Sequence, residues 1–114
     1  MALIAREKII EGGLTATYTG VSSSDTANNV DGKTFIHIKN GGGGSTTVGI
    51  TAQTTKADSS SFGKLTKANV SKSLGAGAEA FFGPFPQLAF NDSGGLITIT
   101  FTVTTSVTMA VLEI

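Results

Sequence analysis

Between residues 96 and 104 the chain alternates without a break, and no helix can satisfy that pattern. Ile97, Ile99, Phe101 and Val103 share one parity, and Thr98, Thr100, Thr102 and Thr104 share the other. A period of two places branched and aromatic side chains on one face of a strand and threonines on the opposite face. Threonine suits the wet face because its β-branch fits the pleat while its hydroxyl stays hydrated. The spacing therefore predicts a half-buried antiparallel strand with all four apolar residues facing a core.

The same period recurs along the chain, and the helical period is nearly absent. Residues 34–40 predict a strand with Phe35, His37 and Lys39 on one face and Ile36 and Ile38 on the other. The run Gly41–Gly44 breaks it, and Val48 and Ile50 resume the pattern within residues 46–52, so the pair reads as a hairpin with a glycine-rich loop. Residues 107–114 read as a closing strand, and weaker strands are expected within 14–20, 68–74 and 78–82. Pro84 and Pro86 force an extended passage, and residues 91–95 form a turn. The polar stretches 22–29 and 54–61 read as exposed loops. Together these features predict an all-β chain: an antiparallel β-sandwich or jelly-roll-like barrel of about seven to eight strands spanning residues 14–114. Residues 1–13, ending in Gly12-Gly13, are expected to be a flexible N-terminal arm.

Composition narrows the function. Eight Lys and Arg balance eight Asp and Glu, and charged residues are only 14% of the 114, well under the roughly 25% usual in soluble domains. The basic residues are scattered singly, so nucleic-acid binding, which needs a basic face, is not expected. No segment approaches the roughly 18 apolar residues of a membrane span, and the start of the chain lacks a signal-peptide apolar region because Arg6 interrupts it. Synthesis and folding in a cytosol are expected. The chain has no cysteine, which removes thiolate nucleophiles, thiolate metal sites and disulfides.

Few residues invite a chemical role. His37 is the sole histidine, so neither a histidine metal cluster nor a Ser-His-Asp triad can be assembled, and a structural role is expected. The Gly41–Gly44 run lacks the Lys-Ser/Thr of a phosphate loop. Asp25, Asp31, Asp58 and Asp92 fall in expected loops as turn formers. They lack the Asp-x-Asp-x-Asp spacing of a calcium loop, although calcium at converging loops stays an alternative. No catalytic, cofactor or metal residue is assigned, and an enzyme is not expected. Phe81, Phe82, Phe85 and Phe90 cluster around the two prolines, either as a hydrophobic plug at one end of a sandwich or as an interface anchor. Leu3, Ile4, Ile9 and Ile10 give the N-terminal arm an apolar face. The candidate partner-binding residues are therefore Leu3, Ile4, Ile9, Ile10, Phe82 and Phe85.

Three blocks carry a family resemblance. They are Asp31-Gly32-Lys33-Thr34-Phe35-Ile36-His37-Ile38-Lys39-Asn40, Gly75-Ala76-Gly77-Ala78-Glu79-Ala80-Phe81-Phe82-Gly83-Pro84-Phe85, and Phe90-Asn91-Asp92-Ser93-Gly94-Gly95 with its following strand. The chain resembles the small β-sandwich capsid decoration, or cement, proteins of tailed bacteriophages over residues 31–104. The resemblance implies a structural virion protein on the outer capsid surface, made in the host cytoplasm. Its partner would be the lattice of the major capsid protein, and it would act as a homo-oligomer, a trimer by preference. It supplies no catalytic residues. The alternative reading of the same sandwich is a ligand- or carbohydrate-binding module of a phage or cell surface.

The alternation around Phe101 is directly testable. Phe101→Ala is expected to cost about 3–5 kcal/mol in urea denaturation, and Thr100→Ala much less. Comparable losses at both positions would show a strand buried on both faces.

Overall fold

The computed structural model describes residues 2–52, 56–59, 63–66, 69–92 and 94–113. Two mixed five-stranded sheets pack face to face as a β-sandwich, and neither closes into a barrel. The strands are β1 (Ala2–Ile4), β2 (Arg6–Lys8), β3 (Thr19–Gly20), β4 (Ser24–Asn28), β5 (Thr34–Asn40), β6 (Thr46–Ile50), β7 (Lys56–Ser59), β8 (Gly63–Thr66), β9 (Val70–Leu74), β10 (Glu79–Phe82), β11 (Leu96–Phe101) and β12 (Val107–Glu113). One turn of helix, α1 (Gln87–Phe90), follows the prolines.

The first sheet runs β1-β4-β11-β6-β9. The second runs β10-β5-β12-β2, with β3 also pairing β12. Among the described residues β7 and β8 pair with each other alone, as an antiparallel ribbon. Among the described residues the sandwich thus holds ten strands rather than seven or eight, because β1 and β2 are too short, and β4 too polar, to show the period of two.

Registers explain the core. Ile97, Ile99 and Phe101 on β11 lie opposite Ala27, Ile50 and Val48 of the flanking strands. From the other sheet, Ile36 and Ile38 on β5 lie beside Met109 and Val111 on β12. All of these side chains are buried. Burying each large one contributes about 1.5–3 kcal/mol against the cost of ordering the chain. The alternation ends at Phe101. Val103 is 41% exposed, because β11 stops at Phe101 and the chain turns toward β12.

Three expectations are corrected. The Gly41–Gly44 run is no hairpin: β5 and β6 lie in different sheets, so the run crosses the top of the sandwich. Both strands bury isoleucines, and facing them from opposite sheets lets both sets share one core. The polar stretch 22–29 is no exposed loop, since β4 occupies its centre with Asp25, Thr26 and Ala27 buried. Asp25 is tolerated there because the backbone N–H of Ser22 donates to Oδ2 at 2.9 Å and the Ser22 hydroxyl donates to Oδ1. Asp25 and Asp58 accordingly stand on strands, not in loops. Of the stretch 54–61, residues 56–59 form β7 and the others lie outside the described residues.

The N-terminal arm is also different. β1 pairs in parallel with β4, and β2 pairs in parallel with β12. Residues 2–8 thus pass from the edge of one sheet to the edge of the other, and Ile4 enters the core. In the second sheet, Arg6 bonds Asp31 at 2.8 Å, the Thr34 hydroxyl at 3.0 Å and Glu113 at 3.2 Å. That contact ties the start of the chain to its last strand.

Asn29 holds the end of the sandwich opposite the Gly41–Gly44 crossing, where Thr34 N–H donates to its Oδ1 at 3.4 Å. It is fully buried, and its Nδ2 donates to Phe85 O at 3.0 Å and Asn91 Oδ1 at 2.7 Å. Asn91 Nδ2 returns a bond to Asn29 O at 2.7 Å. Asn29→Ala would strand several buried polar groups, so a loss of about 2–4 kcal/mol is expected in urea denaturation. A loss below 1 kcal/mol, about the value of one ordinary hydrogen bond, would contradict this arrangement.

Candidate functional site

The outward face of the second sheet carries a row of rings. Its register sets Phe81 on β10 opposite His37 on β5, with Ala110 on β12 beyond. The His37 and Phe81 rings stack at 4.1 Å between centroids, with planes 9° apart. Phe35 sits 6.4 Å from Phe81. Tyr18, just before β3, meets His37 edge-on at 5.5 Å. The Lys39 ammonium lies 3.9 Å above the Tyr18 ring, a cation–π contact.

Hydrogen bonds fix the imidazole in this row. His37 Nε2 lies 3.0 Å from Glu79 Oε1, and Nδ1 lies 2.7 Å from the Tyr18 hydroxyl. When Nε2 donates to Glu79, Nδ1 is left to accept from Tyr18. Both nitrogens are engaged, and the ring is buried between Tyr18 and Phe81. Its work is to hold Phe81 in place. Phe81 itself is 68% exposed, the largest such value among the exposed apolar residues described.

A second feature lies at the end of the sandwich held by Asn29. Asp31, Gly32, Pro84, Phe85, Pro86 and Gln87 line an open cleft of about 370 Å³. The Gln87 amide donates to Val30 O across one rim. The Asp31 carboxylate accepts from Lys33 N–H at 3.1 Å and from Arg6. Those two donors, the backbone amide first, hold its pKa below the ordinary 3.8.

The structure separates the six candidate partner-binding residues. Leu3, Ile9 and Ile10 are exposed, Leu3 at 62% and Ile10 at 55%. Ile4, Phe82 and Phe85 are buried, Phe85 at the floor of the cleft. Phe85 packs edge-to-face on Phe90 at 5.7 Å, so of the four clustered phenylalanines three form a plug and only Phe81 stands outside. Local spacing sets His37 beside Phe35 and Lys39 and marks Phe81 within the aromatic cluster, but it does not bring Phe81, Tyr18 and Glu79 to His37. The alternation of Glu79 and Phe81 was the available signal. No group of three His, Cys, Asp or Glu side chains placed to hold a metal occurs among the described residues, and none of their helices is long and apolar enough to cross a membrane. No family model, curated protein or solved structure matches the chain.

The Asp31 contacts predict an acid response. A lowered folded pKa gives stability that is present above the unfolded value and is lost as pH falls through the folded one. Stability should therefore drop as pH descends below 3.8, and Asp31→Asn should flatten that part of the curve. Parallel acid limbs for the two proteins, followed by thermal melting, would show that Asp31 contributes nothing there.

Proposed function

We propose that the protein is a structural virion protein that decorates the outer surface of a tailed-phage capsid and stabilises it by bridging shell subunits. The observation that carries this reading is the placement of exposed apolar residues. Leu3, Ile9 and Ile10 make up three of the six large hydrophobic residues exposed among those described, and all lie within the first ten positions. β1 and β2 fasten this segment to both sheets, and Ile9 N–H donates to Glu113 O at 2.9 Å. Leu3 stands on β1, and Ile9 and Ile10 directly follow β2, so their backbone loses little conformational freedom on docking. The resemblance to capsid decoration proteins supplies the partner. Such a protein acts mechanically: by binding the assembled lattice and not free subunits, it shifts the equilibrium toward the shell.

A second reading, a ligand- or carbohydrate-binding module, draws on the open cleft between Asp31 and Gln87. It predicts binding that Gln87→Ala weakens and that changes at residues 3, 9 and 10 leave alone.

Deleting the N-terminal segment would remove Ile4 and Arg6 from the fold, so point changes are the cleaner test. The triple variant Leu3→Ser, Ile9→Ser, Ile10→Ser should melt like the parent protein. In co-sedimentation with assembled heads from the same source, its retention should fall at least about tenfold, as expected for losing three buried apolar contacts. Undiminished retention would overturn the proposal.

A further inference from the structure

We propose that β10 pairs along its free edge with β10 of a second copy of this chain, antiparallel about a two-fold axis through Phe81. Among the described residues, β10 is the terminal strand of its sheet and pairs with β5 alone. The direction of its unpaired groups follows from one bond: Asn40 N–H donates to Ala78 O at 2.9 Å. In an antiparallel ladder alternate residues exchange hydrogen bonds with a given neighbour. Counting from Ala78, it is Ala80 and Phe82 that bond β5. Glu79 and Phe81 therefore turn their N–H and C=O groups to the open edge.

The edges differ in how they are guarded. On the same side of the sandwich, β9 ends the other sheet. Its Lys72 lies opposite Val48 on the core-facing side yet is exposed, so its charge emerges at the margin. An inward-pointing lysine on an edge strand is a device against edge-to-edge pairing. On the far side, β2 is Arg6-Glu7-Lys8, charged throughout. β1 is the segment assigned above to the shell. β10 carries no lysine, arginine or proline, and it presents the most exposed aromatic ring described.

The occupant follows from self-complementarity. Residues opposed across an antiparallel pair lie on the same face of the sheet, so a two-fold axis must pass through a residue pair such as Phe81–Phe81. That pair has the edge-facing amides, so the two copies exchange both hydrogen bonds at the axis. Phe81 is stacked on His37 through one face, and the register brings the Phe81 rings of the two copies together as cross-strand neighbours. Glu79 then lies opposite Gly83 of the other copy, which keeps the two carboxylates apart. An axis through Ala80 would instead set each carboxylate beside a Phe81 ring. A formal net charge of zero adds no long-range repulsion between copies. The contact is isologous and closes at two copies, so it does not propagate as a fibre. It replaces the three-fold arrangement implied by the family resemblance.

The test uses the purified full chain without shells, so its outcome is separate from that of the decoration role. Sedimentation over a concentration series should show a monomer–dimer equilibrium. Amide exchange should show Glu79 and Phe81 protected increasingly with concentration, while Ala80 and Phe82 are protected at every concentration. Phe81→Lys should raise the dissociation constant at least about tenfold and leave the melting of the dilute monomer unchanged. If that variant fails to fold, the exchange pattern of the parent protein decides alone. A monomer up to millimolar concentration would overturn the proposal. So would an oligomer in which the Glu79 and Phe81 amides stay fast, or one that Phe81→Lys leaves intact.

Discussion

Everything in this molecule depends on keeping one thin layer of branched side chains dry between two sheets. Ile36 and Ile38 from β5, Val48 and Ile50 from β6, Ile97 and Ile99 from β11, and Met109 and Val111 from β12 form its centre, and none of them reaches solvent. A domain of this size buries only about two-thirds of the surface its unfolded chain exposes, so little can be lost at the margins. Water entering from a side or an end would expose a large share of the core. The edge strands and the loops over each end answer that problem.

The two ends use the same device. Asn29 and Asn40 are both buried, each at or just beyond the end of a strand. Asn40 Nδ2 donates to Leu74 O at 3.0 Å, Gly44 O at 2.8 Å and Gly75 O at 3.2 Å, and Oδ1 accepts from Gly42 N–H at 3.1 Å. It ties the Gly41–Gly44 crossing to the turn after β9, as Asn29 ties the turn after β4 to the proline passage. An amide serves here because it donates and accepts at once, so carbonyls with no ladder partner are satisfied without a buried charge. The two sides are closed differently. Successive strands lie at the margins of opposite sheets: β1 then β2 on one side, β9 then β10 on the other.

Much of this was legible in the sequence. β5 and β11 follow from alternation alone, and Thr34–Asn40 is reproduced to the residue. β4 was illegible because Ser24-Asp25-Thr26-Ala27-Asn28 has the composition of a loop. It becomes a strand because Ser22 satisfies the Asp25 carboxylate and β11 supplies a ladder. β1 and β2, at three residues each, are too short to display a period. The hairpin reading of the glycine run failed for a different reason. Alternation states which face of a strand is apolar but not which sheet the strand joins, and β5 and β6 need only present apolar faces to each other. Site residues divide along the same line. Phe35, His37 and Lys39 share a face by local spacing. Tyr18 and Glu79 reach His37 only because β3 and β10 pair where they do.

The scarcity of charge also acquires a structural meaning. Arg6 is committed to Asp31 and Glu113, Glu79 to His37, and Lys39 to the Tyr18 ring. Glu7 accepts from Thr17 N–H at 2.7 Å. These charges join segments distant in sequence. Charges spent on holding segments together are less available to repel other surfaces. Outside them the surface carries threonines, serines and glycines with single charges such as Lys8, Lys33 and Lys72 between them, and four of the six exposed large hydrophobics described are Leu3, Ile9, Ile10 and Phe81. A surface of that kind opposes close approach by another protein only weakly. Stability therefore draws on a small number of charged side chains, and the pairing proposed above would draw on the same allocation.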